Sequence, residues 1–403
     1  MNNKVRIGIV GGGLNSFMGN IHRQAILASD CAELVCGAFG STRQSSFETG
    51  KALNLPTRRV YGTYRDMFRR EASLPENERM QLTVILAPNT MHYPVAMSSI
   101  DAGFPIFSEK PFTCNIDEAM NLTRKQRNSG LAYGIAMNYA HYPMLQKARQ
   151  LVQTDKALGN IRKIIATYPL GWLAQRLETA GNKQAGWRTD PRRCGPAGCL
   201  IDLGIHCFYV SEWVSGLLVS EVCADLRATV AGRILDDDCT IMLRFANGAR
   251  GVFLASQIAT GRHDGLSLQL FGDKGSLEWS QTAPHQLRHM HINGSQQILS
   301  DNNLENEPPP ALTTTLPATT PFGDNAAYIS ALTRTYKAFA KYLTSDKKKS
   351  GAQSEEHQIM NITEGLRAVA FVDTVLNNTA LPDENTTSVN KWTPFIVPIV
   401  TEL

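Results

Sequence analysis

The chain opens on a strand that runs straight into glycine. Residues 4–10 read KVRIGIV, residues 11–19 read GGGLNSFMG, and helical spacing begins near Asn20. A glycine turn between a buried strand and a helix brings backbone close to whatever lies beyond the strand's carboxyl end, where larger side chains would obstruct it. Four more apolar runs follow: AELVCGAF at 32–39, LTVILA at 82–87, FPIFS at 104–108 and LAYGIAM at 131–137. These read as strands buried on both faces. Between them the spacing is helical, as at 92–102 and at 115–128, where Asn115 is placed to cap and Glu118 follows three residues on. Strand, helix and strand in succession imply an α/β fold with a doubly wound parallel sheet.

At 403 residues the chain is longer than one core usually serves, and its pattern changes after about residue 138. A helix near 143–153 leads into the strand candidates 161–171, 220–232, 239–257 and 266–280. Asn247-Gly248 and Lys274-Gly275 stand at hairpin positions in the last two, which implies antiparallel pairing. Residues 301–325 are rich in Pro and Thr and read as a connector; helical spacing resumes at 325–343 and 354–377. The expectation is a dinucleotide-binding domain over 1–138 and an α+β domain over 139–403 with a large, mostly antiparallel open sheet. That sheet's free face is expected to join copies into a homodimer or homotetramer.

Several function classes are set aside by composition. The net charge of +4 is small and spread out, apart from KKK at 347–349, so nucleic acid is not an expected partner. Nothing ahead of the first strand resembles a signal peptide and no apolar run reaches membrane-spanning length, so no membrane is expected and the cytoplasm is the expected location. The eight cysteines are scattered and expected to be reduced. Cys194, Cys199, His206 and Cys207 cluster without the spacing of a zinc motif, and His285, His289 and His291 lie in a polar stretch that reads as exposed, so no metal is expected. Asp236, Asp237 and Asp238 precede a strand, where they could reach substrate hydroxyls; a solvated turn is the default reading.

The glycine turn fits a pyrophosphate held against a helix N-terminus, the Rossmann arrangement, through Gly11, Gly13, Leu14, Asn15 and Ser16. The third glycine of the usual spacing is missing. Either Ser16 replaces it, or the turn is lengthened to reach Gly19. The end of the second strand reads GAFGSTRQ, with no acid for a ribose hydroxyl; Ser41 and Arg43 there lean towards a 2′-phosphate, so NAD(P) is expected with a slight preference for NADP. Pro88, Asn89 and His92 follow one strand end and are expected on the nicotinamide side, and Glu109 and Lys110 follow another.

The stretch GCLIDLGIHC at 198–207 places Asp202 and His206 four residues apart, on one face of a helix. Leu200, Leu203, Cys207, Val210 and Val214 form an apolar stripe beside one carrying Asp202, His206, Tyr209 and Trp213, and Gly216 ends the element. Glu109-Lys110-Pro111, the glycine turn, APNTMH at 87–92 and Asp202-Leu-Gly-Ile-His206 together resemble the Gfo/Idh/MocA family of NAD(P)-dependent oxidoreductases. The similarity extends over nearly the whole chain. It is strongest to a branch with a GGG…GxxHR first turn, matched through His22-Arg23, and with strings like those at Tyr168–Leu173, Trp187–Pro191, Gly195–Cys199, Leu235–Asp238 and Asn247–Gly251.

The resemblance implies hydride transfer between a nicotinamide and a ring hydroxyl or ketone of a sugar or polyol, with Lys110, Asp202 and His206 reacting. Chemistry asks for the same types: His206 as a base near neutrality, Lys110 as an ammonium beside the alkoxide, and Asp202 to orient the imidazole or bind a second hydroxyl. Asn138 and Tyr139 at the end of the first domain are further candidate substrate contacts. Trp187 and Arg188, in a loop ahead of the helix, offer an aromatic face and a forked donor. The branch pattern resembling PAGHPEGY reads PATTPFGDNAAY here at 317–328, so no substrate contact carries over from it. Two rivals stand beside the dehydrogenase: an NADPH-dependent keto-sugar reductase, and a dinucleotide-sensing regulator without turnover.

Overall fold

The computed structural model describes residues 4–263, 265–301, 325–345, 359–379 and 391–400. The connector over 302–324, the KKK triplet and the start of the last helix candidate lie outside them.

Five short strands become a parallel sheet in the order β2-β1-β3-β4-β5: β1 (Val5–Gly11), β2 (Ala32–Ala38), β3 (Leu82–Leu86), β4 (Ile106–Ser108) and β5 (Tyr133–Ile135). Every residue of β3 is buried, as a central strand covered on both faces requires. The helices are α1 (Phe17–Ser29), α2 (Arg43–Ala52), α3 (Tyr64–Ala72), α4 (His92–Asp101) and α5 (Ile116–Ser129). Asn115 caps α5, its Oδ1 accepting from the Glu118 N–H at 2.9 Å, and Gly130 closes it at φ +65°.

The second sheet has nine strands in the order β13-β12-β11-β10-β6-β9-β8-β7-β14. They are β6 (Ile161–Pro169), β7 (Val219–Arg227), β8 (Asp238–Phe245), β9 (Arg250–Ser256), β10 (Ser267–Gly272), β11 (Gly275–Ser280), β12 (Gln286–His291), β13 (Gln296–Ser300) and β14 (Thr393–Pro394). All pairings are antiparallel except β6 with β9. Hairpins turn at Asn247-Gly248 and Lys274-Gly275. The 285–291 stretch is not simply exposed: it supplies β12, with Leu287 and His289 buried. The remaining α-helices of the chain, among the described residues, are α6 (Pro143–Arg149), α7 (Lys183–Arg188), α8 (Pro191–Cys194), α9 (Ile205–Ser215), α10 (Asn325–Thr344) and α11 (Ile362–Thr379).

The chain divides into two compact units. One runs to Asn138 and also takes in Ile329–Leu366 and the chain from Ile399; the other is Tyr139–Tyr328 with Arg367–Pro398. In the first, Tyr336 and Phe339 of α10 pack on Phe107 of β4, with ring centroids 5.1 and 5.5 Å away. In the second, Phe371 of α11 stacks on Phe208 of α9 at 4.3 Å. All eight cysteines are free thiols.

Candidate active site

In the first unit the glycine turn resolves the spacing question. Gly11 has φ +84°, and a Cβ there would stand 2.6 Å from the Leu86 carbonyl oxygen, so only glycine fits. Ser16 is the N-cap of α1, its Oγ accepting from the Gly19 N–H at 3.0 Å. Gly19 makes the close approach between helix and turn, since a Cβ on it would lie 2.5 Å from the Gly12 carbonyl oxygen. The turn is therefore lengthened, and Gly19 does what a third glycine does. Arg23 fastens it by donating to the Gly12 carbonyl.

Gly13 differs, because a Cβ there would meet nothing nearer than Thr49 Oγ1 at 3.5 Å. Leu14 and Asn15 are exposed and Ser16 is half-buried, and no acid stands in the first turn of α1. Open backbone at a helix N-terminus free of negative charge fits a pyrophosphate. At the end of β2, Thr42 caps α2 in a reciprocal pair with Ser45, while Ser41 and Arg43 are exposed. The Arg43 guanidinium lies 5.5 Å from the Phe47 ring.

Pro88 and the buried Asn89 lead through a single tight turn into α4. His92 is almost fully buried, with Nδ1 2.7 Å from the Pro111 carbonyl and Nε2 3.0 Å from the Ala87 carbonyl. Burial lowers its pKa against the pull of those carbonyls, so the ring is neutral and donates to one of them. Its polar atoms are used in joining the β3 turn to the turn after β4. There Glu109 and Lys110 follow the strand, and the Lys110–Pro111 peptide is cis.

In the second unit the segment holding Asp202 is not a plain α-helix. Leu200–Gly204 is a π-turn that passes into α9, so Asp202 and His206 lie on either side of a change in helical pitch rather than on one even stripe. Nearly all of α9 is buried, including Tyr209 and Trp213.

Asp202 is buried in a polar cluster. Its Oδ2 accepts from Arg188 Nε at 3.1 Å and from Gln257 Nε2 at 3.0 Å. Arg188 ends α7 rather than lying in a loop. Its guanidinium sits 4.2 Å from the Trp187 ring and 5.5 Å from the Trp172 ring, and its Nη1 donates to Gln184 Oε1 at 2.8 Å. Burying both charges together, with further hydrogen bonds, holds each in place. Trp187 anchors its own indole N–H on Gln184. His206 is packed edge-on to Tyr139 at 5.3 Å and tilted to Tyr168 at 5.6 Å. Tyr139 stacks on Tyr142 and donates to Gln281 Oε1 at 3.4 Å; Asn138, just before it, is buried in the first unit.

The three aspartates after Leu235 are not a solvated turn. Asp236 accepts from the Gly198 N–H at 2.6 Å and the Leu200 N–H at 2.7 Å, clamping the entry to the π-turn. Asp237 is buried with Arg233 at 3.3 Å and accepts from the Thr229 and Val230 N–H groups. Burial raises the Asp236 pKa to about 6, because desolvation outweighs the two backbone donors. An acid whose folded pKa lies above its unfolded value favours the folded state most when protonated. Stability is expected to fall by about 3 kcal/mol as pH rises from about 4 to about 6 and then to level off. Urea titrations across that window should show the slope, and Asp236→Ala should remove it.

Gln257, Trp172 and Tyr168 join the candidate residues only through the fold. Trp172 and Tyr168 stand in the string at 168–173, but nothing local marks Gln257 at the end of β9. Among the described residues no group of three or more His, Cys, Asp or Glu is arranged to hold a metal ion, and no helix is long and apolar enough to cross a membrane.

Residues 5–137 match the model described as oxidoreductase family, NAD-binding Rossmann fold, and residues 145–278 match the GFO/IDH/MocA C-terminal domain. The chain belongs to the Gfo/Idh/MocA oxidoreductase family. As in that family, its first domain is an NAD-binding Rossmann domain. A curated relative, the uncharacterized oxidoreductase YfiI of Bacillus subtilis, is 28% identical over 286 residues, 70% of this chain and 72% of the relative. Levoglucosan dehydrogenase of Pseudarthrobacter phenanthrenivorans is 25% identical over 295 residues, 68% and 73%. The crystal structure of an inositol dehydrogenase homolog from Azotobacter vinelandii complexed with NAD+ superposes with a TM-score of 0.83 at 26% identity, covering 97% of each chain. The same protein with NADH and myo-inositol gives 0.81 at 26% identity, covering 97% of this chain and 98% of that one.

Proposed function

We propose that this Gfo/Idh/MocA protein is an NAD(P)-dependent dehydrogenase acting on a ring hydroxyl of a sugar, polyol or derivative. The observation that carries this is the set Lys110, Asp202 and His206 on a chain whose first sheet is an NAD-binding domain, with Asp202 buried and held by Arg188 and Gln257. The inositol and levoglucosan dehydrogenases among its relatives support the substrate class.

Bound nicotinamide supplies the hydride acceptor. The protein's own work is to move a proton and to control charge. His206 takes the hydroxyl proton, and the aromatic rings of Tyr139 and Tyr168 hold its imidazole in place. Lys110 stabilises the developing alkoxide. Asp202, its Oδ2 engaged by Arg188 and Gln257, offers a fixed acceptor to the imidazole or to a second hydroxyl. Trp187 and Trp172 present aromatic faces suited to a sugar ring. A screen of sugars and polyols with both nucleotides, read by nucleotide absorbance, tests the proposal; reduction with a cyclic polyol or sugar supports it, and binding without reduction across the panel refutes it.

Gly11, Gly13, Leu14, Asn15 and Ser16 hold the pyrophosphate, with Pro88, Asn89, Glu109 and Lys110 towards the nicotinamide. Ser41 and Arg43 suit a 2′-phosphate. Arg43→Ala is expected to weaken NADPH binding about tenfold, the worth of one exposed charge-assisted hydrogen bond, and to leave NADH affinity nearly unchanged. Fluorescence titration reads both, and equal losses would show that Arg43 does not read the phosphate.

The open face of the nine-stranded sheet is the proposed surface for a homodimer or homotetramer. Met242 pairs across to Val252 and on to Ile165, and Thr240 to Leu254 and Thr167, with Met242 and Leu254 44% and 37% exposed. Such an apolar ladder on a solvent face suits a second copy of the chain.

A further inference from the structure

Glu109 sits at the end of β4 beside Lys110, and its side chain is only 10% exposed. Its Oε1 lies 2.8 Å from His22 Nε2, and its Oε2 accepts from the Lys110 N–H at 3.3 Å. The other nitrogen of His22, Nδ1, lies 2.6 Å from the Tyr336 hydroxyl. His22 and Tyr336 are both buried, and the two rings meet edge-on at 5.8 Å. One proton assignment satisfies every contact: Tyr336 O–H donates to Nδ1, and Nε2–H donates to the carboxylate. Burial and the Glu109 charge push the Tyr336 pKa well up, so its hydroxyl keeps the proton it donates.

We propose that His22 and Tyr336 are positioning residues: a buried relay that holds the Glu109 side chain and so fixes the backbone from which Lys110 projects. The part of this that concerns catalysis rests on Lys110 being the alkoxide-stabilising ammonium. The groups that face Glu109 are His22 on α1, Tyr336 on α10, His92 on α4 and the adjoining Lys110. Of these, His22 makes the side-chain contact, and Tyr336 sets which of its nitrogens carries the proton. The turn after β4 is thereby tied to α1 and α10, elements far apart in sequence.

The relay has a signature that ordinary core packing lacks. In His22→Leu the buried carboxylate loses its donor and takes up a proton at higher pH. Its folded pKa then exceeds the unfolded value of about 4.3, so the folded state binds the extra proton and stability is lost as pH rises. In nucleotide-free melting curves the gap between parent and His22→Leu should widen as pH rises above about 4, and by more than the gap between Glu109→Gln and the Glu109→Gln/His22→Leu double variant, which lacks the carboxylate. Turnover with a substrate found in the screen should fall at least about tenfold in His22→Leu and less in Tyr336→Phe, while NADH affinity stays within a few-fold of the parent. A melting gap that is flat with pH, or that has the same slope in the Glu109→Gln background, overturns the relay. A parent that binds neither NADH nor NADPH overturns the dehydrogenase proposal instead, while the melting series still decides the relay.

Discussion

Lys110→Ala is expected to reduce turnover by about 10³-fold or more while the nucleotide still binds within a few-fold of the parent affinity. The split follows from where the residue stands. In the proposed mechanism the pyrophosphate is met by the glycine turn and α1, which this change leaves intact, whereas the alkoxide would lose the positive charge assigned to stabilise it as the proton departs. Neither Arg nor a neutral donor would substitute fully, because the turn after β4 is tightly held: His92 Nδ1 lies 2.7 Å from the Pro111 carbonyl and Glu109 takes the Lys110 N–H. Single-turnover kinetics with fluorescence titration checks both halves. Unchanged turnover would remove Lys110 from the chemistry.

His206→Asn is expected to lower kcat about 10²- to 10⁴-fold and to abolish the inflection in the pH–rate profile near neutrality. Asparagine keeps a polar group of similar reach against Tyr139 and Tyr168 but cannot carry the proton. A profile like the parent's, only scaled down, would assign the proton to another group.

The parallel sheet was legible because its strands are buried on both faces and leave uninterrupted apolar runs, and the Asn115 cap was legible because capping is local. Residue types and a family likeness are what put Lys110, Asp202 and His206 forward as the proposed reacting groups. What spacing could not show is geometry set at a distance. The π-turn at Leu200–Gly204 has the same residue pattern as an α-helix, and its entry is clamped by Asp236, a residue that looks solvent-facing in a DDD string. α7 is six residues long, too short to show a helical period, so Arg188 read as a loop residue free to meet substrate rather than as the partner of Asp202. β12 escaped because its histidines and glutamine mask an alternation that only pairing with β11 reveals. His22 and Tyr336 are 314 residues apart, and no local signal joins them.

Hydride transfer itself can be read directly. Across a panel of cyclic polyols and sugars carrying deuterium at their ring carbinol carbons, at least one should pass that label to the reduced nicotinamide, detected by mass spectrometry of the nucleotide. Label in the nucleotide with loss of transfer in Lys110→Ala and His206→Asn is the predicted result; a nucleotide that binds tightly yet never acquires deuterium would contradict a dehydrogenase and leave a dinucleotide sensor.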